Sequence, residues 1–103
     1  MTGRLATVDI TNAGTDTQLY ACPSNKVASF SLSLVNRTTS PVQIRIALTA
    51  TTSVANDTYI AYDVTVYGNE VYERSGLVLS TGQYVYVRSS ATGVNVVLYG
   101  YEE

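Results

Sequence analysis

The residue types that run most protein chemistry are thin in this 103-residue chain. Histidine is absent, which removes the commonest general base and metal ligand, and with them any Ser-His-Asp or Cys-His nucleophile. Two carboxylates, Asp63 and Glu73, sit within patterned segments. A glycosidase-like acid/base pair would need them at a set separation, but nothing in the spacing brings them together. Solvated strand faces, or ion pairs with Arg45, Arg74 or Arg88, are the expected state. Asn56 and Asp57 could join a calcium site, yet the dense Asp/Asn/Gly ligand run is missing. Lys26 lies outside any glycine-rich phosphate loop. The single cysteine, Cys22, follows Leu19, Tyr20 and Ala21; it excludes an internal disulfide and is expected as a buried, inert thiol. No catalytic, cofactor or metal site is predicted, and the chain is not expected to be an enzyme.

Tyrosine is the residue type that stands out, nine of them against one Phe and no Trp. Tyr84, Tyr86, Tyr99 and Tyr101 take the parity opposite Val85, Val87, Val94 and Val96, which predicts an outward tyrosine face. Such a face fits a protein contact or a carbohydrate platform, and equally rings that cover a sheet and pair across strands. Tyr62 has the inward parity of Ile60, Val64 and Val66 and is expected in the core. Three regions are predicted to make protein contacts: an N-terminal arm at residues 2–5 with Arg4, a polar loop at residues 49–57 with Asn56 and Asp57, and the tyrosine face.

The elements that must position these residues are strands. Ala28, Phe30, Leu32 and Leu34 alternate with Ser29, Ser31 and Ser33, and Val42, Ile44, Ile46 and Leu48 alternate with Gln43, Arg45 and Ala47. Residues 36–41 supply the intervening loop, and the two runs are expected as neighbouring strands of one sheet. Further strands are predicted at residues 4–10, 17–21, 59–66, 71–79, 84–89 and 94–101. Gly76 is expected to make a bulge that resets the phase before Leu77 and Leu79. Turn signals recur about every 8–12 residues, the spacing of an antiparallel sandwich. The prediction is therefore all-β, a single domain over residues 1–103 forming a β-sandwich of seven or eight strands, with jelly-roll and immunoglobulin-like topologies both open.

A net charge of -2 and 14% charged residues give no electrostatic footprint for nucleic acid or an anionic membrane, so neither partner is expected. No stretch has the length of a membrane span or the apolar run of a secretory signal, and synthesis in a cytosol is expected. Without such a signal, the triplets Asn36-Arg37-Thr38 and Asn56-Asp57-Thr58 read as turn chemistry rather than glycosylation acceptors.

Several short runs carry a family resemblance. They are Leu19-Tyr20-Ala21-Cys22-Pro23, Lys26-Val27-Ala28, Asn36-Arg37-Thr38, residues 59–64, residues 73–79, Gly82, and Val87-Arg88-Ser89-Ser90. Together they make the chain, over residues 17–101, resemble small virion structural proteins of tailed bacteriophages, including phages of cyanobacteria. The resemblance implies a non-enzymatic β-sandwich, present in many copies and assembled into the virion in the host cytoplasm. The expected role is a capsid decoration (cement) protein, a homo-oligomer bound to the major capsid protein or other virion proteins. A tail, fibre or baseplate component is the alternative within that class, and a carbohydrate-binding module the alternative outside it.

Overall fold

The computed structural model describes residues 2–103, and among these every regular element is a strand. The eight strands are β1 (Thr2–Ile10), β2 (Thr17–Ala21), β3 (Val27–Asn36), β4 (Val42–Thr49), β5 (Tyr59–Val66), β6 (Val71–Ser80), β7 (Tyr84–Ser89) and β8 (Val94–Glu102). They form two four-stranded sheets, ordered β1-β8-β3-β6 and β2-β7-β4-β5, with antiparallel pairing throughout. The first strand pairs with the last, the second with the seventh, the third with the sixth and the fourth with the fifth. That nesting is one long antiparallel ribbon rolled up on itself, the jelly roll, which resolves the choice left open between the two topologies.

The alternation read from the sequence builds the core. Ala28, Phe30, Leu32 and Leu34 of β3, Val42, Ile44 and Ile46 of β4, Val85 and Val87 of β7, and Val94, Val96 and Leu98 of β8 are all buried in one cluster. Each large aliphatic side chain moved from water into such a cluster contributes about 1.5–3 kcal/mol.

The expectation that β3 and β4 lie side by side is corrected: they belong to opposite sheets. Residues 37–41 carry the chain across the sandwich rather than around a hairpin. Two strands facing each other across a core show the same alternation as two neighbours within a sheet, so the pattern could not separate the cases.

Side-chain phase departs from simple alternation where the ladder slips. Between Phe30 and Leu32, Ser75 and Gly76 together stand opposite Ser31, with Gly76 at φ 72°, so the phase resets as expected and Leu77 and Leu79 turn inward. A second slip was not foreseen. Tyr62 and Asp63 together oppose Arg45, with Asp63 at φ 50°. The extra residue of this bulge turns Ala61 into the core and leaves Tyr62 56% exposed, correcting its inward assignment. Ala47 and Thr49 are buried although they keep the outward parity, opposite Tyr86 and Tyr84, because the loop after β4 lies over this face, where Thr49 donates to the Thr51 carbonyl at 2.7 Å. Leu48, opposite Val85, packs against the core but is only half-buried. The predicted N-terminal arm is also part of the sheet, since Thr2, Gly3 and Arg4 pair with Tyr101, Gly100 and Tyr99 of β8.

One end of the core is closed by Tyr20, whose ring packs on Phe30 at 6.3 Å between centroids and whose hydroxyl donates to the Glu102 carboxylate. Burial, then the hydrogen bond to Glu102 and its charge, push the Tyr20 phenol above its ordinary value of 10.0. The unfolded chain releases this proton near the ordinary value while the folded chain holds it. Unfolding free energy from this group is therefore intact below about pH 10 and declines as pH rises further. Urea titrations between about pH 8 and about pH 11 should show that decline, and Tyr20→Phe should make it shallower. The nearby Cys22 thiol is buried, as expected, and burial raises its pKa, keeping it protonated.

Candidate functional site

With both inner faces packed, what the sandwich can offer a partner lies on its two outer faces. The predicted tyrosine face does not exist as one surface, because β7 and β8 belong to opposite sheets. Tyr99 and Tyr101 stand on the outside of the β1-β8-β3-β6 sheet, and Tyr84 and Tyr86 on the outside of the other.

On the first sheet, Tyr99 lies between Arg4 of β1 and Ser31 of β3, and Tyr101 lies between Thr2 and Ser29, with Val78 of β6 next in the row. Tyr99 and Tyr101 are 40% and 47% exposed, and Val27, Val71 and Val78 of the same face are also exposed. Ser29, Ser31, Gly76 and the two tyrosines line a shallow groove of about 240 Å³. Its chemistry is apolar area interleaved with hydroxyls, bordered by exposed Arg4 and by Glu73, whose carboxylate accepts a hydrogen bond from Tyr99 at 3.5 Å.

The second sheet is partly covered. Tyr86 is buried, not available as predicted, because the loop after β4 folds over it. Its hydroxyl lies 3.1 Å from both the Thr52 carbonyl and Gln18 Oε1. Tyr84 is half-buried beside it, with ring centroids 6.4 Å apart. Asn56 and Asp57 are exposed in that loop. Asn56 shares a concavity with Tyr59 and Tyr62, whose rings meet edge to face at 4.8 Å, and Asp57 borders a separate groove with Leu48, Tyr59 and Val78.

Further along this face, Arg45 of β4 stands directly opposite Arg88 of β7. The Asp63 carboxylate takes two hydrogen bonds from Arg45, at 2.7 and 3.3 Å, and the Arg45 guanidinium lies 4.1 Å over the Tyr62 ring. That hydrogen-bonded pair holds the Asp63 carboxyl below its ordinary value and raises Arg45, and the positive charge of Arg88 acts on Asp63 in the same direction. Glu73, the other carboxylate weighed as a catalytic partner, is on the opposite sheet, so the two are not brought together. Arg74 donates to the Ile60 carbonyl at 2.6 Å and ties the edges of the two sheets together.

Sequence reasoning passed over the Arg45 and Arg88 pair. Both fall at outward positions in mid-strand, but their adjacency needs the β4-β7 pairing, which residue spacing does not reveal.

Among the described residues, no three His, Cys, Asp or Glu side chains gather as metal ligands would. What both faces offer is contact chemistry: tyrosine rings, hydroxyls and guanidinium groups. Comparison with protein-family models and with curated proteins finds no match to this chain.

Proposed function

We propose that this chain is a phage virion structural protein, a capsid decoration protein that binds the assembled head and stabilises it by repeated adhesion. The observation that carries the reading is the outer face of the β1-β8-β3-β6 sheet, where exposed Tyr101 and Val78 flank Ser29 in one row and exposed Tyr99 stands in the next, with exposed Val27 and Val71 toward the two ends of the same face. Exposed tyrosine and valine interleaved with hydroxyls is the composition of a protein contact. The resemblance over residues 17–101 points to the same class, and a rolled sandwich is a scaffold that capsid proteins and lectins both use. Fold alone does not choose between those two, so the choice rests on the face. A modest contact repeated over many copies reinforces a shell by multivalency.

Heads lacking the protein should lose resistance to heat and osmotic shock and regain it when purified protein is added back. Protein carrying Val78→Glu and Tyr101→Glu, both at exposed positions, should fold yet fail to restore resistance. Label confined to tails in particle reconstructions would overturn the head assignment in favour of a tail, fibre or baseplate component. The serine-floored groove between Tyr99 and Tyr101 favours a second reading, glycan binding; reproducible hits on a glycan array, abolished by Tyr99→Ala, would select it.

A further inference from the structure

Two of the chain's six basic residues stand directly opposite each other at Arg45 and Arg88. Like charges at directly paired positions of a sheet oppose each other and cost stability, so the arrangement calls for a counter-charge. Only part of it is present. Asp63 is committed to Arg45 through both carboxylate oxygens, and Arg45 is further held over Tyr62. Arg88 is half-buried and makes no hydrogen bond or ion pair with any described residue. It lines a concavity of about 270 Å³ with Gly14, Gln43, Arg45, Asp63 and Ser90. The Ser90 hydroxyl oxygen accepts the Gln43 backbone N–H at 3.0 Å, which leaves its own proton to donate.

We propose that this cup receives an aspartate or glutamate side chain of a partner protein, held in bidentate fashion by Arg88 with Ser90 as a further donor. Two guanidinium groups against one carboxylate leave the cup one positive charge in excess, and the planar fork of arginine matches a carboxylate better than any other anion-binding side chain does. The neighbouring aromatics favour a protein over an acidic sugar. One face of Tyr62 lies under the Arg45 guanidinium, and Tyr59 meets Tyr62 at an interplanar angle of 76°, so no flat stacking platform adjoins the cup. Tyrosine and arginine are, however, the residue types that dominate protein contacts. The assignment of a protein as occupant rests on the adhesive reading above; carboxylate binding in the cup does not.

The test follows the arginine side-chain Nε–Hε resonances of the whole protein during titration with acetate, a blocked tetraglutamate peptide and D-glucuronate. The Arg88 resonance should shift saturably, with tetraglutamate saturating at lower concentration than acetate. The Arg37 resonance, whose guanidinium is paired with Asp9, should move far less. Arg88→Gln should abolish the saturable response while leaving the thermal midpoint unchanged or higher, and Arg88→Lys should weaken binding through loss of the fork. An Arg88 shift no larger than that of Arg37, or tetraglutamate binding that survives Arg88→Gln, overturns the carboxylate site. Glucuronate binding tighter than tetraglutamate overturns the protein occupant. These titrations use no particles, so their failure and the failure of head binding are read separately.

Discussion

Gly100→Ala is expected to destabilise the fold by about 3–5 kcal/mol or to prevent its formation, the largest loss predicted for any single substitution in this chain. Gly100 sits toward the end of β8, between Gly3 of β1 and Phe30 of β3, at φ 153°. A Cβ there would fall 2.2 Å from the Ser29 carbonyl oxygen and 2.6 Å from Phe30 Cα. Both are backbone atoms of a central strand, so the clash is not relieved by turning a side chain. Relief requires β8 and β3 to part, which breaks the ladder that holds one whole sheet. Urea or thermal unfolding measures the loss, with Ser31→Ala as the comparison. That outward serine lies in the same region of β3 and should cost less than about 0.5 kcal/mol. A Gly100→Ala protein as stable as the parent would mean that the two strands do not approach as described.

Asn36→Ala is expected to cost about 2–4 kcal/mol, far more than a surface asparagine would. Asn36 is fully buried at the end of β3, where the chain leaves one sheet for the other. Its Nδ2 donates to the carbonyls of Ser40, Val66 and Tyr67 at 2.8, 3.1 and 3.2 Å, and its Oδ1 accepts from the backbone and hydroxyl of Thr38 at 3.0 and 2.7 Å. One amide thus joins the crossover loop to the end of β5. Truncation removes all of these bonds at once. The Ser40 and Tyr67 carbonyls keep the Thr38 hydroxyl and the Glu70 N–H, but the buried contact to the Val66 carbonyl is lost, and an unsatisfied buried group carries a desolvation penalty of about 1–3 kcal/mol. Asn36→Asp, nearly the same shape, should be at least as damaging, because it replaces the donor with a second acceptor facing three carbonyls. The measured fall in melting temperature should be about 4–8 °C per kcal/mol for a domain of this size. An aspartate variant as stable as the parent would show that the amide proton contacts contribute nothing.

These two positions also show what the sequence could and could not disclose. Period-2 alternation located the strands and nearly all of the core, because burying one face of a strand leaves a direct imprint on residue type. Gly76 was legible as a bulge because glycine in a strand has few other uses. Asn36 ends β3 rather than belonging to the loop, with its Oδ1 accepting the Thr38 N–H as the chain turns, and its burial depends on β5 arriving beside it from 30 residues away. Tyr62 was misplaced because the bulge at Asp63 uses a residue that gives little local warning. Parity alone groups the four tyrosines on one face, whereas rolling the ribbon sends β7 and β8 to opposite sides. The Arg45 and Arg88 pair stayed hidden for the same reason. Strand identity is written locally and strand partnership is not, so the fold class was readable while the surface it assembles was not.

The nested pairing of first strand with last has a further consequence for how the molecule is made. During synthesis, β1 and β3 are exposed long before β8, the strand that lies between them, has been translated. Until then one half of the sandwich has no centre, and its valines and leucines face water. Acquisition of the native state is therefore a late, all-or-none closure, slowed by the large separation between partners. A chain interrupted before residue 94 would be a sticky, half-built ribbon, for which protection during translation matters more than any later gain in stability.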